Sequence, residues 1–232
     1  MDWATARGFR KGDNPARWRG HLESLLPARN KVRRVEHHAA LPYVELAAFM
    51  VELQGQEGVA ARALEFAILT AARTGEVIGA RWDEINLAER LWTVPGERMK
   101  AGKEHRVPLS DRALAIVNAM AEIRSGDFVF PGGKEGRPLS NMSLLMTMRR
   151  MGRSDFTAHG FRSSFRDWAA ERTNFPSEVA EMALAHVVAD KVEAAYRRGD
   201  LFQKRRQLAD AWAKFCAAPA ASGNVVPIVG KR

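Results

Sequence analysis

One cysteine, Cys216, is all the chain has among its 232 residues, so no internal disulfide can form. No Cys/His group stands at zinc-type spacing, and neither a structural metal nor a cofactor is expected. No apolar run approaches the roughly 20 residues that a bilayer-spanning helix requires. The opening Met-Asp-Trp-Ala-Thr-Ala-Arg lacks the apolar stretch of a secretion signal, which points to a cytoplasmic protein with no membrane partner. Pro131-Gly132-Gly133-Lys134-Glu135-Gly136 has the glycines of a phosphate loop but no serine or threonine after its lysine and no apolar strand before it. No bound nucleotide is expected there. His37-His38 is an adjacent pair, which does not converge on a metal and reads as linker. Internal repeats are absent, and tyrosine occurs only twice, as Tyr43 and Tyr196.

Acidic residues are in deficit as well. Lysine plus arginine total 36 against 27 acids, a formal charge of +9, and the summed field attracts polyanions. Nucleic acid is the first candidate partner, against the alternative of a basic protein with no polyanion site. With 46% hydrophobic and 27% charged residues, the chain reads as a folded globular protein with one sizeable core.

Residues 1–35 carry Trp3, Trp18 and many bases but no long apolar period, and read as the end of something larger followed by a basic linker through Lys31-Val32-Arg33-Arg34. Leu41-Pro42 opens a helix, since proline at its first position loses no hydrogen bond. Its apolar positions are read as Val44, Ala47, Ala48 and Val51. Val59 to about Ala72 is apolar almost all round, which implies a core helix. Trp82–Leu87, Leu91–Val94 and His105–Leu109 read as three short strands. Helices follow from Asp111, over Asn141–Met151, Gly160–Arg172 and Pro176–Ala185, in a short segment carrying Tyr196, and over Leu201–Phe215. The small residues from Ala217 read as a flexible tail to 232. The fold class is therefore mainly α with a small three-stranded antiparallel sheet.

Several side chains stand out for chemistry. In the helix after Gly160, Phe161, Phe165 and Trp168 stack on one core face, leaving Arg162 and Arg166 on the opposite side with His159 extending their line. That is either a solvated charged face or a cationic site. His186 ends an apolar stripe with Val179, Met182 and Ala183, as a core histidine would, yet Tyr196-Arg197-Arg198 follows ten residues later. Arg73 and Glu76 are three apart, so the carboxylate can orient the guanidinium; a surface ion pair is the plainer alternative. Lys100 and Lys103 lie on the loop between two strands, solvated or reaching into a groove. Tyr43 is most simply packing.

Taken in order, Arg73, Lys100, His159-Gly-Phe-Arg162, His186 and Tyr196 resemble the catalytic constellation of the tyrosine recombinases, and of phage and prophage integrases in particular. The resemblance covers about residues 36 to 216. Asp-Asn-Pro-Ala-Arg-Trp at 13 to 18 and Ala-Ala-Tyr-Arg-Arg-Gly-Asp at 194 to 200 look like the enterobacterial type. The resemblance implies the integrase catalytic fold over 36–216, a remnant of a core-binding domain within 1–35, and hence a catalytic fragment. It also implies cleavage through a 3′-phosphotyrosyl link, with strand exchange through a Holliday junction.

In that reading Arg73 and Arg162 bind the phosphate, Glu76 supports Arg73, and Tyr196 attacks with His159 as base. Lys100 protonates the leaving oxygen, with Lys103 second, and His186 hydrogen-bonds the phosphate. Arg149, Arg150, Arg166, Arg197, Arg198, Lys204, Arg205 and Arg206 are candidates for DNA-backbone contacts. Double-stranded DNA attachment sites are the implied partner, with self-association to a tetramer on DNA, a monomer allowed without it, and accessory DNA-bending or directionality factors. The implied location is the bacterial cytoplasm, at the nucleoid. Leu201, Phe202, Leu208, Trp212 and Phe215 of the last helix either dock on a neighbouring protomer or pack on the chain's own core. Two competing functions are a noncatalytic DNA-binding remnant of a prophage and supercoil relaxation alone, as in type IB topoisomerases.

Overall fold

A computed structural model describes residues 2–27, 39–186 and 199–218. The chain divides into two units, Met1–His37 and His38–Arg232. The first has a short helix, Asp2–Ala6, and a π-type turn, Trp18–Leu22, that Gly20 breaks at φ 73° before a further helical turn over Glu23–Leu25. None of its residues with a described side chain is buried. This fits a segment without an apolar period. The linker bases Lys31, Arg33 and Arg34, with His37-His38, lie outside the described residues, as do Tyr196, Arg197, Arg198 and the tail from 219.

The second unit is built around a helix that touches neighbours on every side. After α1 (Leu46–Gln54), α2 (Val59–Thr70) is buried from Ala61 to Thr70 at every residue but Arg62. It packs against α1, α3 (Thr74–Ile78), α4 (Asp111–Glu122), α5 (Ser143–Arg150) and α8 (Phe202–Ala217). A helix surrounded in this way has no polar face, which is the pattern its sequence carries.

Glu65 is the exception. Its carboxylate is fully buried on α2 and accepts from Gln54 Nε2 at 2.9 Å and from Arg112 Nε and Nη2 at 2.7 and 3.0 Å, with Arg62 at 3.2 Å. The charge is retained inside because every direction around it offers a donor.

In α1 the buried residues are Leu46, Ala47, Phe49, Met50 and Leu53, whereas Val44 and Val51 are 64% and 69% exposed. The expected stripe through Val44, Ala48 and Val51 is thus corrected. Pro42 opens a 3-10 turn over Tyr43–Glu45, and the α-helix starts only at Leu46, which moves the i, i+3, i+4, i+7 set two residues on, to Leu46, Phe49, Met50 and Leu53.

The three strands form an antiparallel sheet in the order β1 (Ile85–Asn86), β2 (Leu91–Val94), β3 (His105–Pro108), with Trp92 opposite both Ile85 and Val107. β1 is shorter than the sequence pattern implies. Glu84 accepts the Arg81 N–H at 3.2 Å and closes a 3-10 turn over Trp82–Glu84 before the strand begins. Trp92 and Val94 point into the core, where the Trp92 ring centroid lies 5.4 Å from that of Phe66.

Helix α6 (Gly160–Arg172) spans the residues read from the sequence and buries Phe161, Phe165 and Trp168. Trp168 and Phe165 meet Trp212 of α8 at 4.9 and 5.3 Å, and Trp212 Nε1 donates to Ile68 O at 2.8 Å. Leu208 and Trp212 therefore belong to the chain's own core, with Leu201 and Phe215 packed partly against it. Helix α7 (Ser177–Ala183) lies against α6 and α8. Among the described residues no helix is long and apolar enough to cross a membrane.

Replacing Glu65 by alanine strands Arg112, Arg62 and Gln54 around a vacated carboxylate. Urea denaturation should show a loss on the order of 3 kcal/mol; a loss below about 1 kcal/mol would place the network among surface ion pairs instead.

Candidate active site

The end of α2 leads directly into the site. Ala71 closes the helix in the left-handed region (φ 50°), and two residues later Arg73 caps α3. Glu76, 5% exposed, accepts from the Arg73 N–H at 2.9 Å and from Arg73 Nη1 at 2.6 Å. A carboxylate so buried fixes the guanidinium, which distinguishes the pair from an exposed one.

Arg162 is only 5% exposed. The sequence reading of two guanidiniums facing outward is corrected for it: Arg166 stays on the surface, but Arg162, in the first turn of α6, is covered by the ends of α2 and α7. Its Nη1 donates to Ala71 O and its Nη2 to Leu184 O, the latter at 2.6 Å. Burial, and then repulsion from Arg73, lower its pKa to about 10, so it remains a cation at neutral pH.

The last carbonyls of α7 collect these groups in order. His105 Nε2 lies 3.2 Å from Ala183 O, Arg162 bonds Leu184 O, and Arg73 Nη2 reaches Ala185 O at 3.5 Å. Helix C-termini leave carbonyls without intrahelical partners and carry partial negative charge, so cationic and N–H donors gather there. Ala185 is itself left-handed (φ 49°), which turns the chain to present His186. His186 Nε2 is 3.4 Å from Arg162 Nη2, and its Nδ1 is 2.6 Å from Glu181 Oε2. Glu181 Oε1 accepts in turn from Arg166 Nε at 2.6 Å. Burial raises the Glu181 pKa, and the hydrogen bonds from His186 and Arg166 outweigh it, so the net shift is downward.

His159 stands exposed as the cap of α6, its carbonyl accepting the Arg162 N–H at 3.1 Å. Gly160 after it is obligatory for packing, since a Cβ there would sit 2.2 Å from Ala39 O. Lys100 and Lys103 are exposed on the loop between β2 and β3. Arg98 anchors that loop to the Arg73 turn by donating to Glu76 O and to the Glu84 carboxylate.

The structure thus brings together Arg73, Glu76, Arg162 and His186, and leaves His159 and Lys100 exposed at the surface. Tyr196 lies outside the described residues. His105 and Glu181 are additions. Neither has a motif, and the only sequence signal is that Glu181 precedes His186 by five residues.

Among the basic residues, Arg149, Arg150 and Lys204 are exposed, and Arg206 reaches Glu89 O at 2.9 Å. Arg205 is corrected: it is 2% exposed and bonds Asp200 O at 2.8 Å, Asp200 Oδ2 at 2.7 Å and Arg106 O at 2.7 Å. Three consecutive bases on a helix point about 100° apart, so they cannot all face one partner.

A sequence model described as the phage integrase family matches residues 42–200. Prophage integrase IntA of Escherichia coli K12 is 38% identical over 162 residues, covering 68% of this chain and 39% of that protein. IntZ of the same strain is 36% identical over 77% of this chain and 45% of its own length. The integrase of Enterobacteria phage P4 is 30% identical over 78% of this chain and 46% of its own. The chain thus spans less than half the length of these relatives. Among solved structures, the integrase of mycobacterium phage Brujita superposes with a TM-score of 0.57 at 20% identity, over 90% of this chain and 66% of that one. A lambda integrase dimer bound to a COC′ core site gives 0.56 at 20% identity, over 81% and 67%. At such identity these structures establish the fold.

His105 provides a pH test of the site's inner wall. Burial, and then repulsion from Arg205, lower its pKa from 6.5 to about 4. The unfolded chain therefore binds a proton that the folded one refuses, so this stability is present above pH 6.5 and lost as pH falls towards 4. The loss should reach on the order of 3 kcal/mol, and His105→Gln should flatten that interval of a urea-midpoint profile. An unchanged profile in the variant would assign the acid sensitivity elsewhere.

Proposed function

The chain belongs to the phage integrase family, and from that membership we propose that it cleaves and rejoins DNA strands at specific sites through a 3′-phosphotyrosyl intermediate. The observation that carries the proposal is the buried Arg162 beside Arg73, two cations close enough to repel each other and both locked by carbonyls and Glu76. An anion between them relieves that repulsion. A phosphodiester under attack gathers negative charge on its nonbridging oxygens, and donors fixed in advance stabilise that charge without reorganising. Arginine suits the role because it stays charged and offers a planar fork.

Tyr196 is the proposed nucleophile. A phenol, with an ordinary pKa near ~10, needs a partner to take its proton as it attacks, and His159 is assigned as that base and as acid in the reverse step. Lys100, on the loop tethered by Arg98, protonates the departing 5′ oxygen, with Lys103 as the alternative. His186 contributes a hydrogen bond to the phosphate. The tyrosyl ester conserves the energy of the broken bond, so a 5′ hydroxyl from another strand can resolve it.

Residues 36–216 supply this chemistry, acting on attachment sites in the bacterial cytoplasm. Arg149, Arg150 and Lys204, all exposed, are the proposed contacts to backbone phosphates, with Arg166 and Arg206 partly engaged by the protein itself. Lambda integrase has been seen as a dimer on a core site and as a tetramer on a Holliday junction. We propose the same kind of self-association on DNA here, assisted by DNA-bending or directionality factors.

A nicked suicide duplex carrying the cognate site should trap the wild-type chain as a covalent adduct resistant to denaturant, while Tyr196→Phe binds and leaves none. Arg162→Lys, which cannot span both carbonyls and the phosphate, should lower the trapping rate about a hundredfold. A wild-type chain that binds the site but yields no adduct would sink the proposal.

A further inference from the structure

Glu181 has no role in the chemistry above, yet it is the group through which His186 is held. Its carboxylate bridges two donors, Arg166 Nε on Oε1 and His186 Nδ1 on Oε2, each at 2.6 Å. On the far side of the ring, Nε2 faces Arg162 Nη2 at 3.4 Å. A guanidinium has only donors. The nitrogen facing it must therefore accept, and the ring proton must lie on Nδ1, where an ionised carboxylate waits for it. The two neighbours specify the same tautomer from opposite sides.

We propose that Glu181 is a positioning residue for strand cleavage: held by Arg166, it fixes the plane of His186 and keeps one ring proton on Nδ1, so that Nε2 faces Arg162, accepting from it in the free chain and carrying a second proton when it donates to a bound phosphate oxygen. This rests on the strand-transfer reading for what His186 does, but the pairing itself does not. Arg166 is assigned to the same device, which explains why its guanidinium is turned towards α7. A carboxylate serves best at position 181. It accepts on both oxygens, whereas glutamine has an acceptor at one of those two positions and a donor amide at the other, and aspartate is shorter by a methylene.

The test joins a spectroscopic readout to a kinetic one on the full chain. With 15N-labelled histidine, the neutral His186 ring of the wild type should carry its proton on Nδ1, and Glu181→Ala should populate both tautomers. On the nicked suicide duplex, Glu181→Ala should slow covalent trapping on the order of ten- to a hundredfold, the range for carboxylates that orient functional histidines in metal sites, with DNA affinity not reduced. Glu181→Gln should fall between. A wild-type ring protonated on Nε2 overturns the proposal, as does a Glu181→Ala chain that traps at the wild-type rate. Should the alanine variant fail to fold, the wild-type spectrum and the glutamine variant decide. A wild type that forms no adduct while showing the Nδ1 proton would count against strand transfer and leave the Glu181–His186 pairing standing.

Discussion

The guanidinium of Arg162 ties together two helix ends that the sequence keeps far apart, the close of α2 at Ala71 and the close of α7 at Leu184. Without that bond the two carbonyls would be buried without partners, and each such group costs about 1–3 kcal/mol. The charge is tolerated because it is satisfied from both sides, and Arg73 and His105 extend the same arrangement to Ala185 and Ala183. The fold and the site are thus one construction. The arginines hold the helix ends, and the helix ends aim the arginines.

The same junction accounts for two of the four non-glycine residues that are left-handed among the described residues. Ala71 and Ala185 both adopt a conformation that costs an L-residue about 1–2 kcal/mol, and both present their carbonyls to a site guanidinium. Strain of this kind persists where the surroundings over-determine it. Here the surroundings are the buried ends of α2 and α7 and the cations lodged between them, which remain short of one negative charge. A phosphate group has the charge and the acceptor count to fill that deficit.

Much of this is legible before any coordinates. The unbroken apolar run of α2 requires burial on all sides, the span of α6 follows from Phe161, Phe165 and Trp168, and three short strands follow from their turns. The Arg73–Glu76 spacing also foretells the ion pair. Less legible is the phase of α1, where a 3-10 turn after Pro42 moves the helix start and turns Val44 and Val51 to solvent. Glu65 gives no sign of being buried, because its partners come from α1 and α4 as well as from its own helix.

The sequence by itself determined the inventory: the residue types that the proposed strand transfer calls for, their order along the chain, the helical periods that carry them, and a net charge suited to a polyanion. Tertiary structure alone decided which cations are free to act. Arg162 and Arg205 look like surface bases by their neighbours, yet both are buried on main-chain carbonyls, while Arg149 and Lys204 remain exposed. It also recruited His105 and Glu181. The reason is that periodicity reports which side of one helix faces inward, whereas the environment of a charge depends on which other helix ends come to rest against it.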